Sequence, residues 1–355
     1  MAVILAAKRS AVVPRGGAFA LLSLQELAAP VIAALLAAAG VAAGRVDELI
    51  CANALGAGGN PARICALAAG LPERVAGLSI DRQCAGGLDA VVLARALVDS
   101  GAAEVVVAGG GESYSQRPLR LRVGETVAYD QAWFTPWPKR EVGMAEAADR
   151  LGQRLGITRE FQDLWAMESH RKAMASGPSG EIVAIGGVSR DGFARVLSPE
   201  LMRRAKGLAG DVTVANAAVA ADAAAFVLVV SEAVARGRGL RIISGVTLGG
   251  DPLEPGVAPV AAIAAVLAKS GIAVNELAVV ELMEAYAVQA IACADLAGLD
   301  PSRINPGGGA LARGHPIGAS GAILAVRLFY ELKQGFGLAA IAAAGGIGTA
   351  LLVAR

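Results

Sequence analysis

The chain is poor in the residues that mark several protein classes. Aromatics make up only 4% of its 355 residues, and it has just two histidines and four cysteines. With so few rings, the core must be built from small aliphatic side chains. Cys51, Cys65, Cys84 and Cys293 are scattered, with no Cys-x-x-Cys spacing. That pattern indicates neither a zinc ligand set nor a disulfide framework, so free thiols and no metal are expected. No basic block occurs and the net charge is +1, which argues against nucleic acid or a membrane surface as the main partner. Unbroken apolar runs are lacking too. The stretch between Glu26 and Arg45 contains Pro30 and breaks at Gly40, and the one from Phe336 to Ala354 is cut by Gly345, Gly346 and Gly348. A spanning helix needs about 20 strongly apolar residues. The first stretch therefore reads as a buried helix and the second as strand–turn–strand. Lys8 and Arg9 arrive too early for the apolar part of a signal peptide, so a soluble cytoplasmic protein is expected.

Glycine is abundant, at 45 residues, well above the average of about 7%. Tight turns and close backbone approaches are favoured over one long helical bundle. The first and last thirds repeat one order of elements at an offset of roughly 230 residues. In the first third a helix near Pro30 leads to the strand in VDELICANAL. A strand feeding a helix follows in LSIDRQCAGGLDAVVLARALVDSG, then a buried strand in VVVAGGG. The last third answers with PVAAIAAVLAKSG, VNELAVVELMEA, SRINPGGGALARGHPIGASGAILAVRLFYEL and IAAAGGIGTALLV. Short β-branched runs alternating with helical periods predict an α/β fold. Two such halves packed together would bring their glycine loops to one place. The intervening segment holds Trp133, Trp137, Trp165, Arg203, Arg204 and Lys206 and reads as an insertion covering a site. The expected division is residues 1–113 with 211–236, an insert at 114–210, and 237–355.

Cys84 lies in DRQCAGGLDA, between a predicted strand end and a helix start. A thiol at a helix N-terminus meets the positive end of the dipole, which lowers its pKa. Gly86 and Gly87 are expected to turn the backbone sharply and leave the sulfur uncovered. His315 lies in GGGALARGHPIGASG, a glycine loop that precedes a helix, where a neutral imidazole can take a thiol proton. His170 sits in a helical stretch as a solvated or packing residue. The other three cysteines have apolar surroundings and read as core. Glu284, at a strand end, is either a buried charge near the site or a carboxylate bound to a backbone amide.

These motifs together resemble the thiolase superfamily. DRQCAGGLDA is similar to its nucleophile signature, GGGESYS to GGxESMS, MEAYAVQ to NEAFAAQ, and GGGALARGHPIGASG to GGAIALGHPxGASG. VGMAEAADRLGQRLGITREFQDLWAMESHRKA is similar to its loop-domain helices. The resemblance runs nearly end to end. It implies a five-layered αβαβα fold of two pseudo-repeated halves with an inserted loop domain, assembled as a homodimer or tetramer. It implies no resident cofactor, only a coenzyme A thioester as substrate; a carrier-protein thioester stays open as donor because the serine of the family's GNASG loop is absent here. Cys84 would take the acyl group and His315 would activate it. The backbone of Cys84, Ala344 and Gly345 would form the oxyanion hole. Met144, Ala218, Met283, Glu284, Arg203 and Arg204 fall on the substrate side.

Three positions depart from the family pattern. The second catalytic cysteine aligns with Ala342, the asparagine of NEAF with Met283, and the serine of the GNASG loop falls in Ala215-Asn216-Ala217-Ala218. The insert also has few residues between His170 and Val212. Backbone donors survive side-chain changes, so formation of an acyl-enzyme is expected to be intact. Alanine cannot move a proton, and a missing general base costs roughly two to four powers of ten. Condensation or thiolysis leads the expectations. Acyl transfer to a non-carbon nucleophile or thioester hydrolysis comes next, followed by a non-catalytic acyl-CoA-binding subunit.

Overall fold

The computed structural model describes residues 1–177 and 179–355. The first half is built from strands β1 (Ala2–Ser10), β2 (Val13–Pro14), β3 (Glu48–Ala52), β4 (Leu78–Ile80) and β5 (Val105–Glu112). Helices α1 (Leu24–Ala39), α2 (Pro61–Ala68) and α3 (Gly86–Asp99) run between them. Next come α4 (Met144–Leu155), α5 (Arg159–Ala175), β6 (Ile182–Val183), α6 (Pro199–Arg204), β7 (Gly207–Ala209) and β8 (Val212–Thr213). The long strand β9 (Ala221–Ser231) and short α7 (Glu232–Ala235) close the first sheet. The second half comprises β10 (Leu240–Gly249), α8 (Ala258–Ser270), β11 (Leu277–Leu282), α9 (Ala287–Leu296), α10 (Ala310–Arg313), α11 (Ile317–Glu331), β12 (Phe336–Ala343) and β13 (Ile347–Ala354).

The strand order is β11-β12-β13-β10-β1-β9-β5-β3-β4. Each half thus repeats one plan, β4-β3-β5-β9-β1 against β11-β12-β13-β10, with Ile304 bridging Val280 where a fifth strand would lie. The halves join through a short antiparallel contact, Val3 with Arg241 and Ile4 with Leu240. Strand alternation sorts side chains into layers, because successive residues face opposite sides. On β9, Ala223, Ala225, Val227 and Val229 enter a central core with α3 and α11, while Ala224, Phe226, Leu228 and Val230 meet α1 and α2 outside. On β13, Leu351 and Val353 face the centre, while Ala350 and Leu352 meet α8 and α9. Helix layer, sheet, central helix pair, sheet and helix layer make the five-layered αβαβα arrangement.

The central helices touch because their facing residues are small. A Cβ on Gly87 would lie 2.6 Å from the Ala322 nitrogen, and one on Gly321 2.4 Å from the Leu88 nitrogen. Gly110 of β5 lies just as tightly under the start of α11. Helix α1 begins at Leu24, earlier than expected, where Glu26 accepts from the Ser23 N–H and hydroxyl. It runs through Pro30 and buries Leu27, Val31, Ile32 and Leu35. The stretch 336–354 is strand–turn–strand, as predicted. Among the described residues no helix is long and apolar enough to cross a membrane, and no cluster of three or more potential metal ligands occurs.

Candidate active site

Cys84 and His315 stand 231 positions apart, each just ahead of one central helix, and meet with Sγ 3.1 Å from Nε2. Close packing of α3 against α11 therefore sets their distance. The strained residue beside Cys84 is Gln83, with φ of 50°, and its amide is held by Asp81. Gly86 is ordinary helix (φ −51°). The two glycines serve close approach instead, since a Cβ on Gly86 would lie 2.8 Å from the Ala52 Cβ. His315 is fixed by its own amide, which donates to Val219 at 2.7 Å, and by Ser320 Oγ, 2.6 Å from Nδ1. For Nε2 to receive the thiol proton, Nδ1 carries the other ring proton and donates it to Ser320.

Burial pushes the Cys84 thiol up to about 12, against the pull of the Ala344 and Cys84 backbone N–H groups and with a further push from Glu112 and Asp81. The helix start therefore does not lower this thiol as the sequence predicted; loss of water outweighs the backbone donors. Burial also brings His315 down to about 4. The resting pair is neutral. A low-dielectric site penalises either charge alone but strengthens the attraction between the two. The arrangement can therefore pass a proton from Sγ to Nε2 without leaving either charge alone.

The pair opens onto a cavity of about 300 Å³. Its wall takes Met144, Ala147 and Ala148 from α4, Ala218 and Ala220 from the segment before β9, and Ala342, Ala343 and Ala344 from the end of β12. Cys84 is the one cysteine on this wall; Cys51, Cys65 and Cys293 are buried in the core. Of the substrate-side residues expected from the sequence, Met144 and Ala218 line the cavity. The other four do not. Met283 turns into the central core. Glu284 is buried and accepts from Trp165 Nε1, Ser169 Oγ, Asn305 Nδ2 and the Leu311 amide. It clamps α5 to the loop before α10. Arg203 and Arg204 are exposed at the end of α6. Ala344 aims its N–H at Cys84, whereas Gly345 lies one residue further along the turn, off the wall, with φ of 82°. His170 is a packing residue, accepting the Arg195 amide at Nδ1.

Several wall residues escaped the sequence. Tyr286, where the motif has phenylalanine, lines the cavity, and burial first and then the Cys84 sulfur once ionised push its phenol up to about 12. Tyr114, where the motif has methionine, lines it too, under the guanidinium groups of Arg15 and Arg117. Both positions lie in GGGESYS and MEAYAVQ, where the exchange of an apolar residue for a phenol is the available signal. Glu112, of the GGGESYS motif, is a further residue with no sequence signal of its partners. It accepts from Asn53 Nδ2 and the amides of Ala54, Leu55 and Gly318, joining the loop after β3 to the start of α11.

Residues 2–233 match the family model described as thiolase, N-terminal domain, and residues 239–355 the one described as thiolase, C-terminal domain. The chain is 40% identical over 304 residues to the putative acetyl-CoA C-acetyltransferase YhfS of Bacillus subtilis, covering 81% of each protein. It is 38% identical over 391 residues to an acetyl-CoA acetyltransferase of Cupriavidus necator, covering 99% of each. The crystal structure of the Bacillus anthracis acetyl-CoA acetyltransferase superposes with a TM-score of 0.94 at 33% identity, covering 99% of this chain and 98% of that one. The Acat5 thiolase of Ascaris suum, solved in complex with coenzyme A, gives 0.93 at 29% identity, covering 100% and 99%. Matched in both halves and along nearly its whole length, the chain belongs to the thiolase family of acyl-CoA-dependent acyltransferases.

Proposed function

We propose that Cys84 accepts an acyl group from an acyl-CoA thioester and that the usual outcome is condensation or its reverse, thiolysis. The observation that carries this is the 3.1 Å contact between Cys84 Sγ and His315 Nε2 on the wall of a cavity large enough to admit a thioester. The sulfur attacks the thioester carbonyl as its proton passes to Nε2, and the oxyanion is met by the amides of Cys84 and Ala344. The carbon–sulfur bond of the donor then breaks, and the departing thiolate takes the proton back from His315. The acyl-enzyme is left on a neutral pair. No resident cofactor is required. Residues 114–210 act as the cover under which the thioester lies, and the working assembly is a homodimer or tetramer.

A second reading concerns the acceptor. The wall carries no cysteine besides Cys84, and Ala342 stands where the family motif supplies one. Transfer of the acyl group to an amine, alcohol or carrier thiol, or to water, needs no α-proton abstraction and so no second thiol. The test is to incubate the protein with acetoacetyl-CoA, with and without free CoA, and follow intact mass and CoA release for the wild type and Ala342→Cys. Rapid wild-type thiolysis supports carbon–carbon chemistry with another base. A stable adduct on Cys84 whose turnover appears only in Ala342→Cys supports the second reading. Absence of any adduct, with Cys84 no more reactive to iodoacetamide than the buried thiols, removes both and leaves an acyl-CoA-binding subunit.

A further inference from the structure

The segment from 114 to 143 holds four arginines, and three of them are engaged. Arg117 pairs with Asp130 at 2.6 Å and lies over Tyr114. Arg122 lies over Tyr129 and Trp133 and pairs with Glu125. Arg140 lies over Trp137. Arg120 differs. It is on the cavity wall with Cys84 and His315, and among the described residues its one side-chain bond is from Nη2 to the Ala54 carbonyl at 3.1 Å. No carboxylate of the described residues lies within ion-pair distance of it. Asp130, the acid on the same wall, is committed to Arg117 and points largely to water. A guanidinium carries five N–H donors in a planar fork suited to a carboxylate or phosphate, and most of this fork is unused.

Its position is set with respect to the chemistry. The Tyr129 amide donates to the Arg120 carbonyl at 2.9 Å. The amides of Ala54 and Leu55 donate to Glu112, which also receives the Gly318 amide just after His315. The free fork and the acylating pair are thus referenced to one buried carboxylate. Gln83 and Gln131 add polar surface to the same wall. A cavity meant for a plain alkyl chain would leave this cation unpaired each time water was expelled, which is costly.

We propose that the cavity takes acyl thioesters whose acyl chain ends in an anionic group, a carboxylate, held by Arg120. This rests on the thioester binding described above. The same fork would suit a phosphate of coenzyme A, so the ligands must separate the two sources. Pantetheine thioethers carry no phosphate, and a 4-carboxybutyl and a pentyl chain differ only at the end. Their binding to the wild type, Arg120→Gln and Arg120→Lys is measured by calorimetry. Adduct formation on Cys84 from glutaryl- and valeryl-pantetheine is followed by intact mass. The expected result is ~10- to 100-fold tighter binding of the carboxylated chain by the wild type, the range of a charge-assisted hydrogen bond. Arg120→Gln removes that preference and leaves the pentyl ligand unaffected, which shows a folded protein; Arg120→Lys keeps part of the preference. Equal wild-type binding of the two chains overturns the proposal. So does an Arg120→Gln defect seen only with full coenzyme A ligands, which assigns the fork to the carrier's phosphates. Selective binding without any adduct leaves the carboxylate site standing and defeats the acyl-enzyme instead. Adducts formed equally fast from both chains do the reverse.

Discussion

For a single side chain, charge state decides how the chemistry responds to pH. His315 sits at about 4 and Cys84 at about 12, so between these values the neutral pair persists. Adduct formation should stay level from pH 8 down to about 5 and fall only as His315 takes a proton. An unburied histidine would already fail near its ordinary 6.5. In His315→Ala the thiol must ionise alone. Its adduct rate should drop by ~10²–10⁴ at pH 7 and climb tenfold per pH unit, as single-turnover mass measurements across pH would reveal. A flat profile in that variant would mean that another group takes the proton. Cys84 and His315 were legible because each interrupts a glycine-rich loop, where neither residue packs as core. Their protonation states were not, since burial depends on segments far away in the chain. Glu284 was open between a charge near the site and a strand-end carboxylate on a backbone amide; it is buried off the cavity wall and takes the Leu311 amide, with its other partners in α5 and the loop before α10. Arg120 carried no local signal of sharing a wall with Cys84, since that wall forms only when residues from both halves and from the stretch 114–148 come together.

Among the elements, the contact between α3 and α11 sets the reactive distance. Gly321→Ala places a methyl group against backbone atoms of Leu88, which no rotamer change can relieve. A loss of at least about 2–3 kcal/mol is expected from overpacking, read by urea unfolding, with acylation falling further as Cys84 and His315 part. Gly44→Ala, with nothing within 4 Å, is the control and should leave both unchanged. The alternating strands and the helices behind them were visible as periodicity, down to the turn at Ala344–Gly346. Two details were not. The start of α1 depended on the Ser23–Glu26 pairing rather than on Pro30, and the segment at Ile304 makes a single bridge because the glycine run after it leaves nothing to continue a strand.

Over the whole molecule, buried charges join the stretch 181–191 to β1 and α11. Arg9 of β1 bonds Glu181 and Asp191, and Arg327 of α11 bonds Glu181. Burial alone would raise Glu181, but Arg9, Arg327 and Arg313 together hold it near about 2. Its contribution is complete above its ordinary 4.5 and is lost as pH falls toward 2. Glu281 has the opposite sign. Among the described residues neither carboxylate oxygen finds a hydrogen bond, and burial raises it to about 7 despite Arg327 and Arg313. Between 4.5 and 7 the folded chain keeps a proton that the unfolded chain releases, so stability falls as pH rises through that window. Glu281→Gln should therefore gain up to roughly 3 kcal/mol at pH 8, at 1.36 kcal/mol per unit, and nothing at pH 4.5. Urea midpoints at the two values decide it; an equal shift at both would assign the effect to packing.

The meeting of Cys84 and His315 has a further consequence. Each half of the repeat supplies one member of the pair, and neither half owns a complete one. Turnover therefore works as a gauge of docking between two bodies that pair directly at only two residue positions along their sheets. On gentle denaturation, catalysis should fall as soon as α3 and α11 part, and it should return only at the rate at which they dock again.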